Sequence, residues 1–296
     1  MVELMVAMVI SGMILAVMIQ VTGVAIDSWR LNQEKVRASR QAKMVLDQLA
    51  KDFETIQVRR GNAFEWLYAG VDTEVGGSAG KGASLAFFNG ASDRYNGQVG
   101  TDGADRGGDV SGVAYRLVYK DPAKNDMGEF AVFGLYRNLI DPDKTFEELL
   151  GKFELIAERG GGGPFRPHLD EVGAITNFVS ENIVGLSVSF LVEYEAKVGR
   201  GSFVTKQRRL SVIDTGGDSA FDELRVKGNG ITVSPAPDDA AEFARGRLIS
   251  VDINISVITD GAMEIVRSGT LSADQLADHL SKNTYRYTKT VNLPRL

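Results

Sequence analysis

From Leu4 to Ile26 the chain reads "LMVAMVISGMILAVMIQVTGVAI", 23 residues without a charge. As a helix rising 1.5 Å per residue, such a run crosses a hydrocarbon core about 30 Å thick. Fifteen of its residues are Leu, Ile, Val or Met. At roughly −0.3 to −0.6 kcal/mol for each strongly apolar residue, insertion gains several kcal/mol. A carboxylate costs about 3 kcal/mol at mid-membrane and less near an end, so Glu3 at the margin does not prevent insertion. Two other readings fit less well. A cleaved signal peptide has a shorter apolar core, a basic start and a small-residue cleavage site. A buried helix of a soluble domain is usually shorter and shows a polar stripe, which Ser11, Gln20 and Thr22 do not form. The segment reads as a membrane helix, with Leu4, Val9, Ile14, Ile19 and Ile26 spaced along the anchor.

Between Asp27 and Gln57 neither Pro nor Gly occurs, and helix formers dominate. Ala42, Leu46, Leu49, Phe53 and Ile56 recur at three- and four-residue steps, which predicts one apolar stripe. Leu46, Leu49, Phe53 and Ile56 are therefore expected to pack the stalk helix onto the rest of the protein. The expectation is a single rod from about residue 3 to about residue 58, roughly 80 Å long. Its first half is apolar all round, its second half amphipathic, and Gly12 and Gly23 are places where it can bend. The chain divides accordingly into an N-terminal membrane and stalk helix, 1–58, and a β-rich domain, 59–296.

Beyond Arg60 the hydrophobic period changes from helical to strand-like. "SLAFFN", "GVAYRLVYK", "EFAVFGLYRNL", "GLSVSFLVEYEAKV", "SFVTKQRRLSVI", "RLISVDINISVITDG" and "YRYTKTVNL" are short runs rich in Val, Ile, Phe and Tyr. In one of them Val251, Ile253, Ile255 and Val257 fall on one face and Asp252, Asn254 and Ser256 on the other, as in a half-buried antiparallel strand. "FEELLGKFELIAE" predicts a helix, and so does "SADQLADHL", where Ser272 and Gln275 form a capping box. "GGSAGKGAS", "GASDRYNGQVGTDGADRGGDVSG", "ERGGGGPFRPHLDEVG" and "GGDSAFDELRVKGNGITVSPAPDD" are read as loops, the second and last longer than compact domains usually hold. A long helix followed by strands gives an α+β class: the amphipathic half of the rod packed on an antiparallel β-rich domain.

Catalytic and metal chemistry finds little to work with. The chain contains no Cys, which removes disulfides, zinc–thiolate sites and thiol nucleophiles. Its two histidines, His168 and His279, lie far apart in sequence and are read as surface or loop residues. "GGSAGKG" fails as a phosphate loop, because Gly82 follows Lys81 and Val75 holds the first-glycine place. Asp102, Asp105 and Asp109 offer hard oxygens for calcium, but their spacing lacks the alternate acids and distal Glu of a calcium loop. No cofactor is expected, calcium being the one metal kept open. The net charge is −6, so the Arg208–Arg209 pair is expected to mark a solvent face, and no nucleic-acid partner is expected.

"VELMVAM" followed by a membrane-length helix resembles the N-terminus of type IV pilins and pseudopilins, the prepilin N-terminal methylation motif F-T-L-[IV]-E preceded by Gly. Val2 and Glu3 take the last two defined places, and Met1 falls where the family has Leu. The Gly, Phe and Thr are missing from the sequence. The expected explanation is a start assigned at a Leu-type codon, with in-frame Gly-Phe-Thr codons upstream. Ser28-Trp29, "KMVLDQLAKDFE", "VAYRLVYK", "FGLYRNL", "ENIVGLSVSFLVEYE", "RLISVDINISVI" and the closing "YRYTKTVNLP" are similar to J-type minor pseudopilins of type II secretion and W-type minor pilins. The length and the glycine-rich insertions also resemble protein C of the Verru_Chthon cassette. The resemblance implies that Glu3 pairs, within the bilayer, with the amino terminus of a neighbouring subunit during fibre assembly.

The resemblance further implies a minor pilin-like subunit with a structural role and no enzymatic activity. Its partners would be other pilin-like subunits through the N-terminal helix, the inner membrane, and a prepilin peptidase if a leader exists. It would be single-pass in the inner membrane, with the C-terminal domain in the periplasm or carried into a surface fibre. Arg30, Lys35, Arg37, Arg40 and Lys43 argue the other way, since basic residues beyond a membrane helix favour the cytoplasm. The alternatives are an anchored binding or adhesion module that does not polymerise and, less well supported, an anchored hydrolase.

Overall fold

The computed structural model describes residues 2–72, 81–90, 109–124, 130–156, 163–170, 173–198, 202–212 and 220–294. The chain forms two compact units, Met1–Arg40 and Gln41–Leu296. The first is helical throughout its described length. It belongs to helix α1 (Val2–Glu54), whose last turns lie in the second unit.

In the second unit α1 buries Ala42, Val45, Leu46, Leu49, Ala50 and Phe53, Leu49 and Phe53 completely. The ring of Phe53 stacks on Phe87 at 4.8 Å and meets Phe190 edge-on at 6.1 Å. The helix stops at Glu54, short of the expected end near residue 58. The backbone there exchanges helical bonds for strand bonds. Gln57 N donates to Phe88 O at 2.8 Å, Gly90 N to Thr55 O at 2.9 Å, and Ile56 bridges Asn89. Ile56 is thus buried beyond the helix, 1% exposed.

Twelve strands come after it among the described residues. The first group is β1 (Glu65–Asp72), β2 (Lys81–Gly90), β3 (Val110–Lys120), β4 (Val132–Ile140) and β5 (Phe178–Ser180). The second is β6 (Ile183–Val198), β7 (Ser202–Val212), β8 (Ala220–Phe221), β9 (Glu223–Lys227) and β10 (Gly230–Ser234). β11 (Arg247–Ile258) and β12 (Thr284–Asn292) close the chain. One run of neighbours is β10-β9-β1-β2-β3-β4-β5. The other is β12-β11-β6 with β7 and β8 on the far side. They join where Lys81 and Gly82 run parallel to Gly185 and Leu186. Nearly all remaining pairings are antiparallel, so the architecture is α+β: a long N-terminal helix followed by an antiparallel sheet-rich domain.

The sheet β1–β4 is covered on both faces. Phe87 and Tyr115 face α1, while Trp66, Tyr68, Phe88 and Ala114 face a second core built with Leu149 and Phe165. That cover comes from α2 (Pro142–Lys144), a π-helical turn at Thr145–Leu149, the irregular chain to Ile156 and α3 (Arg166–Asp170). The long helix expected over "FEELLGKFELIAE" therefore does not form. Gly151 at φ +77° turns the chain away after the turn at Thr145–Leu149, and Leu155 and Ile156 are buried from irregular backbone. The last expected loop is also corrected. Residues 220–234 are strands, with Leu224 facing Val233 and Val226 facing Ile231 across the β9–β10 hairpin. α4 (Ala240–Phe243), α5 (Asp260–Arg267) and α6 (Ala273–Asn283) complete the domain. α6 starts on the expected box, with Gln275 N donating to Ser272 Oγ and Ser272 N to Gln275 Oε1. In β11, Val251, Ile253, Ile255 and Val257 are buried, as the alternation predicts.

Candidate functional site

The first unit presents an apolar surface with nothing of its own to cover it. Fourteen large apolar side chains between Val2 and Ile26 are exposed, among them Val9, Ile14, Ile19 and Ile26 at 46–65%. The side chain of Leu4 lies outside the described residues. An 18-residue stretch of this helix has mean hydropathy 2.2 and is entirely unburied, long and apolar enough to cross a membrane. Covering fourteen such side chains is worth roughly 15–30 kcal/mol. A gain of that size makes water a poor medium for this surface. Glu3 is exposed in the first turn, where the helix dipole favours an acid.

The second unit holds a buried carboxylate that ties α1 to three adjacent strands. Asp52, 3% exposed, receives Arg137 of β4 in a two-pronged bond, Nε to Oδ2 at 2.7 Å and Nη2 to Oδ1 at 2.9 Å. Tyr115 of β3 donates its hydroxyl to Oδ2, and Asn89 Nδ2 of β2 donates to Oδ1 at 3.3 Å. Burial, and then the negative charge of Asp52, push the Tyr115 hydroxyl far above its ordinary range, so it remains a donor. The residues come together because Leu85 pairs with Tyr115 and Tyr115 with Arg137 across the sheet. Asp52 was not singled out from sequence. The signal was available: it sits three residues after Leu49 and four before Ile56, a charge inside an apolar stripe.

A second charged cluster supports the opposite core. Arg225 Nη1 donates to Glu65 Oε1 at 3.2 Å and to Ile156 O at 2.7 Å, and Nε donates to Glu223 Oε2 at 3.2 Å. Its guanidinium lies 5.0 Å from the centre of the Tyr68 ring, whose hydroxyl donates to Glu223 at 3.3 Å. Burial raises the carboxyl of Glu65 above its usual range, with Arg225 pulling the other way. Paired acids with a shifted pKa suit acid–base catalysis where substrate can reach them. Here the Glu65 side chain is 0% exposed, and the cluster acts as a brace.

His168 and His279 are placed apart, and neither is a plain surface residue. His168 lies on α3 with its side chain 12% exposed, 3.5 Å from Glu148, and His279 on α6 contacts Ala262 O at 3.0 Å. Among the described residues no three His, Asp or Glu side chains come together to hold a metal. Asp102 and Asp105 lie outside the described residues, and Asp109 just precedes β3. Arg208 and Arg209 sit on β7, pairing respectively with Asp239 and, at 3.0 Å, with Asp252.

No protein-family model and no curated protein matches the chain. Among solved structures it is similar to a type IV-like pilin from Thermus thermophilus, at 11% identity and a TM-score of 0.32. The match covers 87% of this chain and 97% of that one. A score that low carries no weight for function.

Proposed function

We propose that the chain is a minor pilin-like subunit, a pseudopilin, of a type IV pilus or type II secretion-like fibre, with a structural role in assembly and no catalytic one. The observation that carries this reading is the apolar run of the first unit, exposed at every described side chain from Val2 to Ile26 and opened by Glu3. Lipid covers such a surface in the membrane, and neighbouring helices cover it in a fibre. In low dielectric a lone carboxylate strongly prefers a cationic partner, and the amino terminus of an adjacent subunit supplies one. Pairing available only in the assembled state sets register, as buried polar groups do in coiled coils. The N-terminal "VELMVAM" supports the same reading. Under it the protein is single-pass in the inner membrane, with its sheet-rich domain in the periplasm or carried into the fibre. Other pilin-like subunits and a prepilin peptidase are its partners, and the Verru_Chthon-type system is the finer assignment. The enclosed state of both charged clusters supports a non-enzymatic role.

The test is Glu3→Ala in cells that make the fibre. Membrane insertion is expected to persist, because fifteen aliphatic residues still drive it. Incorporation into the fibre is expected to fall at least about tenfold, the effect of losing 1.4 kcal/mol. Unchanged incorporation rules out the pairing.

A further inference from the structure

Three backbone segments converge beside the β9–β10 turn. Gly61 N donates to Gly228 O at 2.9 Å, and Gly228 N returns a bond to Phe64 O at 3.0 Å. Ile231 N donates to Ala244 O at 2.7 Å, which closes the third side. A Cβ on Gly228 would lie 2.4 Å from Arg59 O and 2.3 Å from Asn62 Oδ1, so only glycine permits the approach. Between the segments lies a cleft of about 120 Å³. Each segment brings basic residues to its lining: Arg60 from the first, Lys227 from the hairpin, Arg245 and Arg247 from the third. Among the described residues no acid lines it. Arg247 bonds Glu193 at 2.9 Å, whereas Arg60 and Arg245 are exposed and form no ion pair among the described residues. Val226 and Ile231 give the cleft a buried apolar floor. In a chain of net charge −6 this is a local reversal of sign.

We propose that the cleft binds a single oxyanion group, a carboxylate or a phosphate. Guanidinium groups present paired donors that match two such oxygens, and an apolar floor strengthens the attraction by displacing water. Size decides against a larger ligand. Pockets for cofactors and drug-sized molecules run to roughly 300–1,000 Å³, whereas this one holds one anionic group. The group is either a free anion or an acidic side chain of a neighbouring protomer. Binding of a free anion stands apart from the role of the N-terminal helix, whereas a neighbour's carboxylate rests on the assembly proposed above.

The experiment follows the melting of the full chain in detergent against inorganic phosphate and succinate at constant ionic strength. Arg60→Gln, Arg245→Gln and the double variant are compared with Lys282→Gln, which alters an exposed cation on α6. Melting without added anion reads folding separately. For a free-anion site, phosphate or succinate raises the melting temperature of the parent and of Lys282→Gln, and apparent affinity falls about tenfold or more in the double variant. For a neighbour's carboxylate, free anions have no effect. Crosslinking between copies in membranes then drops several-fold in the double variant and falls with added salt. An anion response equal in all proteins, or no response in either assay, overturns the proposal.

Discussion

Asp52 and Arg137 join α1 to the middle of the sheet through charge. Removing one partner of a buried pair leaves the other uncompensated, at a cost of about 3–5 kcal/mol. Arg137→Ala is therefore expected to destabilise the domain by that amount, because Asp52 keeps only neutral donors, from Tyr115, Asn89 and Gln48. Urea unfolding of the two proteins checks this, with the midpoint falling and the slope unchanged. Glu65 makes a separate prediction about pH. Its carboxyl is raised by burial, so the folded state holds its proton to higher pH than the unfolded chain, whose ordinary value is 4.5. Its contribution is present below 4.5 and is lost as pH rises through the folded value. Stability measured across that window should fall more steeply in the parent than in Glu65→Gln. Asp47 acts in the opposite sense. The hydrogen bond from Lys289 lowers it from 3.8, so its contribution is present above that value and fades as the pH drops.

At the scale of elements, Phe53 holds the last turns of α1 in place by stacking on Phe87 and meeting Phe190 edge-on. Phe53→Ala should cost about 3–5 kcal/mol. Ser272→Ala should cost only about 1 kcal/mol, read as faster hydrogen exchange confined to α6, since it removes a cap and no core. The difference explains what sequence conveys. α1 and β11 announced themselves through period, α6 through its cap, and β2, β3 and β4 as short runs rich in Val, Leu, Phe and Tyr that stay buried on both faces. β1 did not, because "EWLYAGVD" shows no alternation and its apolar residues are interrupted by Gly70 and bounded by Glu65 and Asp72. β9 and β10 did alternate, through Leu224, Val226, Ile231 and Val233, but glycines and prolines around them read as loop. "FEELLGKFELIAE" has helix-forming residues yet serves as an irregular cover, because the sheet face fixes where Leu149, Leu155 and Ile156 must sit. The pairings within the charged clusters were not legible at all. Tyr115 lies 63 residues from Asp52, Arg137 lies 85 away, and Arg225 is 160 residues from Glu65. Only the strand order makes them neighbours.

For the whole molecule, the two units face different demands. The unit Gln41–Leu296 has a core of its own, with buried side chains on both faces of the sheet β1–β4. The unit Met1–Arg40 leaves its apolar run without cover of its own, and under the proposed function lipid or another chain supplies it. The lack of cysteine makes this directly accessible, since a single introduced thiol has no competitor. The measurement is cysteine crosslinking of Ile14→Cys in membranes of the native host, with and without Glu3→Ala. A pilin-like subunit should fractionate with membranes and form crosslinked species, with copies or other pilin-like subunits, through position 14. Glu3→Ala should reduce those species at least about tenfold while leaving membrane association intact. A protein recovered in the soluble fraction, or one that stays uncrosslinked in intact membranes, contradicts this role.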